Sequence, residues 1–428
     1  MKITHLNSAT VIIESGSTKI VCDPWLIDGI YYGSWATTPK LNIDWSVFEN
    51  TTHIYLSHIH PDHFDLRTIK EIIKYCNPKI IIYNFKEKFL LNNLIFNGFK
   101  PIEINKSQIL GDIKVSLYSG DSCNPELCGK FFGCRTINSI DSLSVFQDNQ
   151  HTVVNVNDCQ YDLSLGSLNK ILEEYKKIDL LLVSYVGAGS WPQCWNLSES
   201  ELNKAKEFKK TEMLNHGIKF IKHLNPKWIM PFAGTYTLTG RLHTLNKDLP
   251  KPSLEEAQNC YSNFGECFIL NSFESFEFSK PKSFVPPTTE NINPLYIYDF
   301  DEDEVKNNKC LIDKSYSNFE NKRKKIGFTS KTKILLYLED ELCIFNCNGD
   351  GYYFDKNKYP ISKLKENFDN YIAYNLDQKL LNRILTKKAY WNNAEIGCHL
   401  SMSKTTSFYE RGLHYCMNYF YDNSVYPC

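Results

Sequence analysis

Short runs of alternating apolar and polar residues open the chain, at 2–6, 10–14 and 18–22, and turn residues separate them. Such alternation is typical of half-buried strands. Further along, apolar runs alternate with segments whose apolar residues recur every three or four positions. This pattern predicts strands at 52–56, 79–83, 113–118, 142–147, 152–156, 178–183 and 227–230, and helices at 66–76, 86–97, 167–176 and 199–224. Interleaved strands and helices predict an α/β sandwich.

The character of the chain changes after a proline-rich stretch at 281–294, which predicts a linker. We therefore expect two domains, 1–280 and 295–428, as the length of 428 residues also suggests. The second is predicted to be a smaller α+β domain or a lid. It contains predicted strands at 333–338 and 342–346 and predicted helical stretches at about 361–387 and 405–420.

Charge and cysteine usage narrow the functional classes. The net charge of −1 gives no basic field for nucleic acid or for a membrane surface. The longest apolar runs are far shorter than a membrane span. The chain has fifteen cysteines without a C-x-x-C pair and opens on a predicted strand in place of a signal peptide. We therefore expect reduced thiols and a cytoplasmic protein.

A histidine-rich motif follows the predicted strand at 52–56. It has the pattern His58-x-His60-x-Asp62-His63, whereas the whole chain has only eleven histidines. The alternative is a polar loop that is His-rich by chance. At a strand-to-helix turn, His58 and His60 can share one cation while Asp62 and His63 face a second. Imidazole and carboxylate suit Zn, Fe and Mn, so the motif predicts a metal site able to activate water or O₂.

Other ligands are expected at the ends of later strands. Asp158 follows the strand at 152–156 and could bridge two metals, and Asp141 directly precedes the strand at 142–147. Asp121 is a third candidate, with a turn as its alternative role. His243 follows a strand and a glycine loop, and Asp23 could support the site from outside the ligand shell. The other histidines are expected on the surface or in the core: His5, His53, His151, His216, His223, His399 and His414.

Two residues in loops are predicted to contact substrate. Arg241 could bind a phosphate or carboxylate, and a surface salt bridge is its alternative role. Trp191 lies in a glycine-containing loop. A further loop at 28–35 is rich in tyrosine and tryptophan and either caps a core or lines a pocket. The sequence contains no G-x-S-x-G, Walker A or G-x-G-x-x-G motif, so serine-hydrolase, P-loop and Rossmann classes have no support.

The motif and the strand order resemble the metallo-β-lactamase superfamily. More narrowly, the segments at 23–26, 55–63, 187–192 and 231–234 are similar to the metallo-β-lactamase-like part of CMP-N-acetylneuraminate hydroxylase. The resemblance implies an αββα sandwich. It also implies a metal centre with the ligands His58, His60, Asp62 and His63, and with Asp158 as a bridging carboxylate.

Two departures from the superfamily pattern affect the expected metal. Asp141 stands where a histidine is usual. The 231–234 segment has no histidine after its proline, so His243 would have to reach in from its loop. A carboxylate in place of an imidazole favours Fe or Mn over Zn, and we expect two divalent ions with Fe favoured.

Three functional hypotheses follow. The first is a dinuclear non-haem iron oxygenase that acts on a polar, possibly nucleotide-activated, sugar-type molecule. No Cys-x-His pair for a Rieske cluster occurs in the sequence, so electrons would come from a separate protein or from the substrate. The second is a hydrolase of a lactone, amide or phosphoester, in which Asp62 orients a metal-bound hydroxide. The third is a non-enzymatic one-metal binding protein.

Overall fold

The computed structural model describes residues 1–120, 140–278, 293–305, 307–405 and 410–422. Asp121 and most of the predicted linker at 281–294 lie outside these ranges. The described residues form two seven-stranded sheets. The first contains, in spatial order, β16 (Ser275–Phe276), β1 (Lys2–Asn7), β2 (Thr10–Ser15), β3 (Thr18–Cys22), β5 (His53–Leu56), β6 (Lys79–Tyr83) and β7 (Ile102–Ile104).

The second sheet packs against the first. Its strands are, in spatial order, β15 (Glu266–Cys267), β13 (Trp228–Phe232), β12 (Leu180–Ser184), β11 (Thr152–Asn155), β10 (Ser142–Gln147), β9 (Ile113–Ser119) and β8 (Ser107–Leu110). One buried apolar cluster joins the inner faces of both sheets, for example Val11 and Ile81 of the first with Val115 and Leu182 of the second. Burial of these faces is the main favourable term in folding.

Helices cover both outer faces. Ile69, Ile72, Leu90 and Leu94 of two helices pack on the first sheet, and Phe220 and Ile221 belong to the cluster over the second. The helices are α1 (Ile30–Gly33), α2 (Leu66–Ile72), α3 (Phe89–Phe96), α4 (Tyr161–Glu174), α5 (Glu199–Leu224) and α6 (Leu254–Tyr261), with 3₁₀ turns at Trp45–Phe48 and Gly240–Asp248. The predicted αββα sandwich is confirmed.

Strand direction creates the edge on which the candidate site lies. β3, β5, β6 and β7 pair in parallel in the first sheet, and β11, β12 and β13 pair in parallel in the second. Ligand sites in α/β sheets form at the carboxyl ends of such strands. The loops that follow β3, β5 and β11 therefore leave their sheets at equivalent ends. A small ribbon of β4 (Trp35–Thr37) and β14 (Tyr236–Leu238) is also present.

The C-terminal part contains a five-stranded sheet with helices. Its elements are β17 (Lys333–Tyr337), β18 (Leu342–Asn346), β19 (Tyr352–Asp355), β20 (Tyr371–Asn375), β21 (Ser401–Lys404), α7 (Asn308–Ile326), α8 (Leu364–Asn367), α9 (Gln378–Leu385), α10 (Trp391–Ile396), α11 (Arg411–Met417) and a 3₁₀ turn at Ile361–Lys363. This α+β content agrees with the predicted class. One buried apolar cluster contains Trp25 and Val183 of the sandwich together with Trp391 and Met402 of the C-terminal part. The division at 281–294 stays a prediction.

Two C-terminal elements differ from the sequence prediction. The continuous helix expected at 361–387 is wrong, because β20 interrupts it and pairs in parallel with β17 inside the sheet. A short apolar run is compatible with a helix or a buried strand, and only its partner decides between them. Helix α7 was not predicted. Its buried strip is narrow, with Ile312, Phe319 and Ile326 seven residues apart in a strongly polar segment.

Within the described ranges, no helix is both long and apolar enough to cross a membrane.

The long helix α5 begins with a capping box, and this feature predicts a measurable contribution to stability. The Glu201 N–H donates to Ser198 Oγ at 3.4 Å, and the Ser198 N–H donates to Glu201 Oε2 at 2.8 Å. We expect Ser198→Ala to lower the free energy of unfolding by about 1 kcal/mol. Denaturant unfolding followed by circular dichroism measures this change. Ser317→Ala is the matched control, because Ser317 lies inside α7 and its hydroxyl donates to the Asp313 carbonyl. Equal losses in both variants would contradict the prediction.

Candidate metal centre

The histidine motif forms the turn between strand β5 and helix α2. The N–H groups of His63 and Phe64 donate to the His60 carbonyl at 3.0 and 2.8 Å, which closes the turn. The chain then enters α2, whose first N–H groups are capped by the Asp65 carboxylate. A buried strand and a capped helix therefore hold both ends of the motif.

Three side chains form the centre of the site. The nitrogen atoms of His58 and His63 and a carboxylate oxygen of Asp158 lie within 4.8 Å of one another. His63 Nε2 is 3.5 Å from Asp158 Oδ1, and His58 Nε2 is 3.9 Å from Asp158 Oδ2. Both imidazoles are buried, while the Asp158 side chain is 29% exposed. Solvent therefore reaches the site at the Asp158 carboxylate, while the two imidazoles are shielded by the protein.

Three further predicted ligands surround this centre. His60 Nδ1 is 2.9 Å from His58 Nε2. Asp62 Oδ2 is 3.6 Å from His63 Nε2, and Asp141 Oδ1 is 3.7 Å from His58 Nδ1. The motif after β5, the residue before β10 and the loop after β11 therefore meet at one place, although they are far apart in sequence.

The remaining predicted ligand, His243, lies in the 3₁₀ turn Gly240–Asp248. Its Nδ1 is 2.9 Å from the Gly240 carbonyl oxygen, within the same turn. Ala233, in the 231–234 segment that has no histidine after its proline, has a left-handed backbone and donates its N–H to the Ser8 carbonyl. A ligand role for His243 stays a prediction.

Asp23 supports the motif from the end of β3. It is fully buried and its carboxylate accepts hydrogen bonds from the Ser57 N–H and Oγ, both at 2.7 Å. His63 Nδ1 is 2.9 Å from Asp23 Oδ2. Because a carboxylate only accepts, Nδ1 carries the proton and Nε2 is directed towards Asp158 and Asp62. This is the supporting role that carboxylates commonly play beside metal-ligating histidines.

Burial determines the protonation of two imidazoles. It lowers the pKa of His58 to about 3, with a smaller contribution from the neighbouring His63. Burial likewise lowers the pKa of His60 to about 4, with a contribution from His58. Both rings are therefore neutral near pH 7, and neutral imidazole is the form that binds metal.

His63 behaves differently because carboxylates surround it. Burial alone would lower its pKa, but Asp158, Asp62 and Asp23 together raise it well above the ordinary value. The pKa of Asp158 is lowered: burial opposes this shift, and the charge and hydrogen bond of His63 outweigh it. A metal bound at His63 would therefore compete with a proton, and its affinity would rise with pH.

The donor set fits divalent metal ions. The ligand atoms of His58, His63 and Asp158 are close enough to share one ion. His60, Asp62 and Asp141 lie beside these residues, and Asp141 faces the other ring nitrogen of His58. Burial raises the pKa of Asp141 to about 6, and Asp158 contributes to this rise. Carboxylates placed close together repel one another unless cations offset their charge. Nitrogen and oxygen donors in this ratio suit Fe, Mn or Zn.

Two contacts at the site were missed by sequence reasoning. Tyr31 Oη donates to Asp62 Oδ1 at 2.5 Å, and Tyr31 has a left-handed backbone, φ +51°. Asn392 Nδ2 lies 3.0 Å from His60 Nε2, although 332 residues separate the two. The sequence offered one signal for Tyr31, because it lies in the aromatic loop at 28–35 that was predicted to cap a core or line a pocket. No local signal pointed to Asn392. The left-handed backbone of Tyr31 is notable because strained non-glycine backbone is often found at functional sites.

The aromatic loop also caps the core. Trp35 is buried and stacks on Tyr236 with ring centroids 3.6 Å apart. Of the two roles considered for this loop, capping describes Trp35, while Tyr31 contacts Asp62 of the candidate site.

The predicted substrate contacts lie in loops with protein partners. Arg241 pairs with Asp301 at 2.8 Å and Asp377 at 3.2 Å, which corresponds to the salt-bridge alternative. Trp191 is half-buried and meets Phe208 edge to face, with ring centroids 6.3 Å apart. Substrate contact by either residue stays a prediction.

The sandwich and the donor cluster at its edge define a protein of the metallo-β-lactamase fold. Residues 2–119 match the family model described as Beta-lactamase superfamily domain, which confirms the resemblance to this superfamily. Among solved structures, the chain is similar to an isothiocyanate hydrolase from Delia radicum gut bacteria, with 15% identity, a TM-score of 0.44, and coverage of 65% of this chain and 100% of that one.

Two kinds of curated relative share more sequence. A putative Rieske 2Fe-2S iron-sulfur protein of Mycobacterium tuberculosis is 24% identical over 262 residues, 59% of this chain and 48% of the relative. Cytidine monophosphate-N-acetylneuraminic acid hydroxylase of Pan troglodytes is 25% identical over 248 residues, 55% of this chain and 38% of the relative. The match thus spans about half or less of the length of these proteins.

Proposed function

We propose that this protein is a dinuclear non-haem iron oxygenase of the hydroxylase type, acting on a polar, sugar-type molecule, with nucleotide-activated sugars as one class to test. The observation that carries the proposal is the carboxylate content of the site, where Asp62, Asp141 and Asp158 surround two buried histidines. Hard oxygen donors favour iron over zinc. The similarity to cytidine monophosphate-N-acetylneuraminic acid hydroxylase supports the reaction class.

The residues of the chain have distinct roles in this proposal. His58, His60, His63, Asp62, Asp141 and Asp158 would hold the metals, which when bound supply the capacity to bind and activate O₂. Asp23 fixes the orientation of His63 through its hydrogen bond to Nδ1. Tyr31 fixes the orientation of Asp62, and Asn392 contacts His60. These supports hold the ligand atoms in place before substrate arrives, which reduces the reorganisation cost of the reaction.

An oxygenase needs electrons, and the sequence lacks the Cys-x-His pair of a Rieske cluster. We propose that a separate electron-transfer protein delivers them. The similarity to a putative Rieske 2Fe-2S iron-sulfur protein supports an association of this type of domain with such a cluster.

A hydrolase is the second candidate, and the geometry of Asp62 favours it. Tyr31 holds one oxygen of Asp62, and the other lies 3.6 Å from His63 Nε2. A carboxylate fixed in this way could orient an attacking water and accept its proton. Lactones, amides and phosphoesters are the substrates to test.

Metal analysis of anaerobically purified protein separates the two candidates. We expect about two irons per chain by plasma mass spectrometry, with optical and Mössbauer spectra that change on reduction and on exposure to O₂. Two zinc ions after growth in iron-supplemented medium would contradict the oxygenase and favour the hydrolase. One weakly bound ion would favour the non-enzymatic alternative. If iron is found, cytidine monophosphate-N-acetylneuraminic acid is the first compound to assay for hydroxylation.

A further inference from the structure

A cavity of about 400 Å³ lies between the metallo-β-lactamase-fold part of the chain and the C-terminal helices α10 and α11. Gln160 and Gly189 line it from the first part of the chain, and Asn392, Glu395, Arg411 and His414 line it from the second. A volume of this size is typical of pockets for small molecules. Its walls are mostly polar, which favours a hydrophilic ligand.

One lining residue of the cavity contacts the candidate metal centre, and a second lies close to it in the sequence. Asn392 lines the cavity, and its Nδ2 is 3.0 Å from His60 Nε2. Gln160 follows Asp158 by only two residues. A molecule bound in this cavity would therefore contact Asn392, the residue whose amide lies against His60.

The charged and amide lining residues offer different groups to a ligand. Glu395 already has protein contacts at both oxygens, with Ser190 Oγ 3.3 Å from Oε1 and His414 Nδ1 3.5 Å from Oε2. Arg411 carries five N–H donors in a planar fork that matches carboxylate and phosphate, so it can bind an anion in addition to protein partners. The amides of Gln160 and Asn392 can donate to and accept from hydroxyl groups.

We propose that this cavity is the substrate pocket of the metal centre, that it takes a polyhydroxylated molecule with an anionic group, and that Arg411 binds that group. The proposal rests on the proposed function, because it assigns the substrate class of the same site. It also gives the C-terminal part a role, since Asn392, Glu395, Arg411 and His414 all come from α10 and α11.

Three six-carbon polyols that differ only at one end test the proposal: gluconate, sorbitol and glucamine. They end in a carboxylate, a hydroxymethyl group and an aminomethyl group. Binding to the purified, metal-containing protein is measured by calorimetry and by saturation-transfer NMR. We expect gluconate to bind more tightly than sorbitol, and glucamine to bind least. Arg411→Gln should weaken gluconate binding at least roughly tenfold, because a charged hydrogen bond is lost. Its sorbitol binding should not change.

Two further variants make the result specific. Arg411→Lys keeps the charge without the fork and should fall between wild type and Arg411→Gln. Arg383→Gln is the control, because Arg383 pairs with Asp303 and does not line the cavity. Each variant must keep the wild-type metal content and thermal midpoint. Equal binding of the three polyols, preference for glucamine, or unchanged gluconate binding in Arg411→Gln would overturn the proposal. So would loss of gluconate binding in Arg241→Gln with Arg411→Gln unaffected.

Binding is measured without turnover, so the two proposals fail in different ways. Zinc in place of iron, with gluconate bound through Arg411, would contradict the oxygenase and leave the pocket assignment intact. Two irons, with gluconate binding independent of Arg411, would overturn the pocket assignment alone.

Discussion

Replacing both His58 and His60 by alanine is expected to remove most of the metal from the purified protein and to abolish its activity. His58 is fully buried between His63, Asp141 and Asp158, and its neighbour His60 lies 2.9 Å away. Loss of a supporting residue already costs about 10–100-fold in metal affinity, so loss of two ligands should exceed that range. Metal per chain is measured by plasma mass spectrometry after gel filtration.

His223→Ala is the matched control for this variant. His223 lies on α5, where its ring contacts Tyr161 and Asn169. Circular dichroism and the thermal midpoint show whether the double variant folds. A folded double variant that keeps its metal would contradict the site assignment. If it also kept full activity, both enzyme proposals would fail.

Asp23→Asn is expected to lower metal affinity by about 10–100-fold without changing the ligand set. The substitution keeps the size of the side chain, and asparagine tolerates the left-handed backbone at this position, φ +47°. The amide can still accept from Ser57 but no longer offers a charged acceptor to His63 Nδ1. The preferred orientation and proton position of His63 are therefore weakened. Competition with a chromophoric chelator measures the affinity.

Asp28→Asn controls for the loss of an aspartate in the same segment. Its carboxylate accepts hydrogen bonds from the Thr37 N–H and Oγ1 at 2.8 and 3.0 Å. Wild-type metal affinity in Asp23→Asn, with reduced affinity in Asp28→Asn, would show that Asp23 does not position His63.

The local sequence was sufficient to predict the elements that carry the histidine motif. The strand before it was predicted from a short apolar run, the turn from a polar interruption, and the helix after it from apolar residues at helical spacing, all within about twenty residues. The long helix predicted at about 199–224 from its apolar spacing and from Asn225-Pro226 agrees with α5, and the structure adds the Ser198 cap at its start. Such signals act between near neighbours, so the sequence displays them directly.

The sequence alone determined the fold class, the histidine motif and the strand ends at which further carboxylates were expected. The tertiary structure decided which of those carboxylates meet, since Asp141 and Asp158 reach His58 only through the packing of two sheets. It also decided the contacts of Tyr31 and Asn392 and the sheet position of β20. The physical reason is that strand partners and packed layers depend on burial summed over the whole chain, which no local pattern encodes.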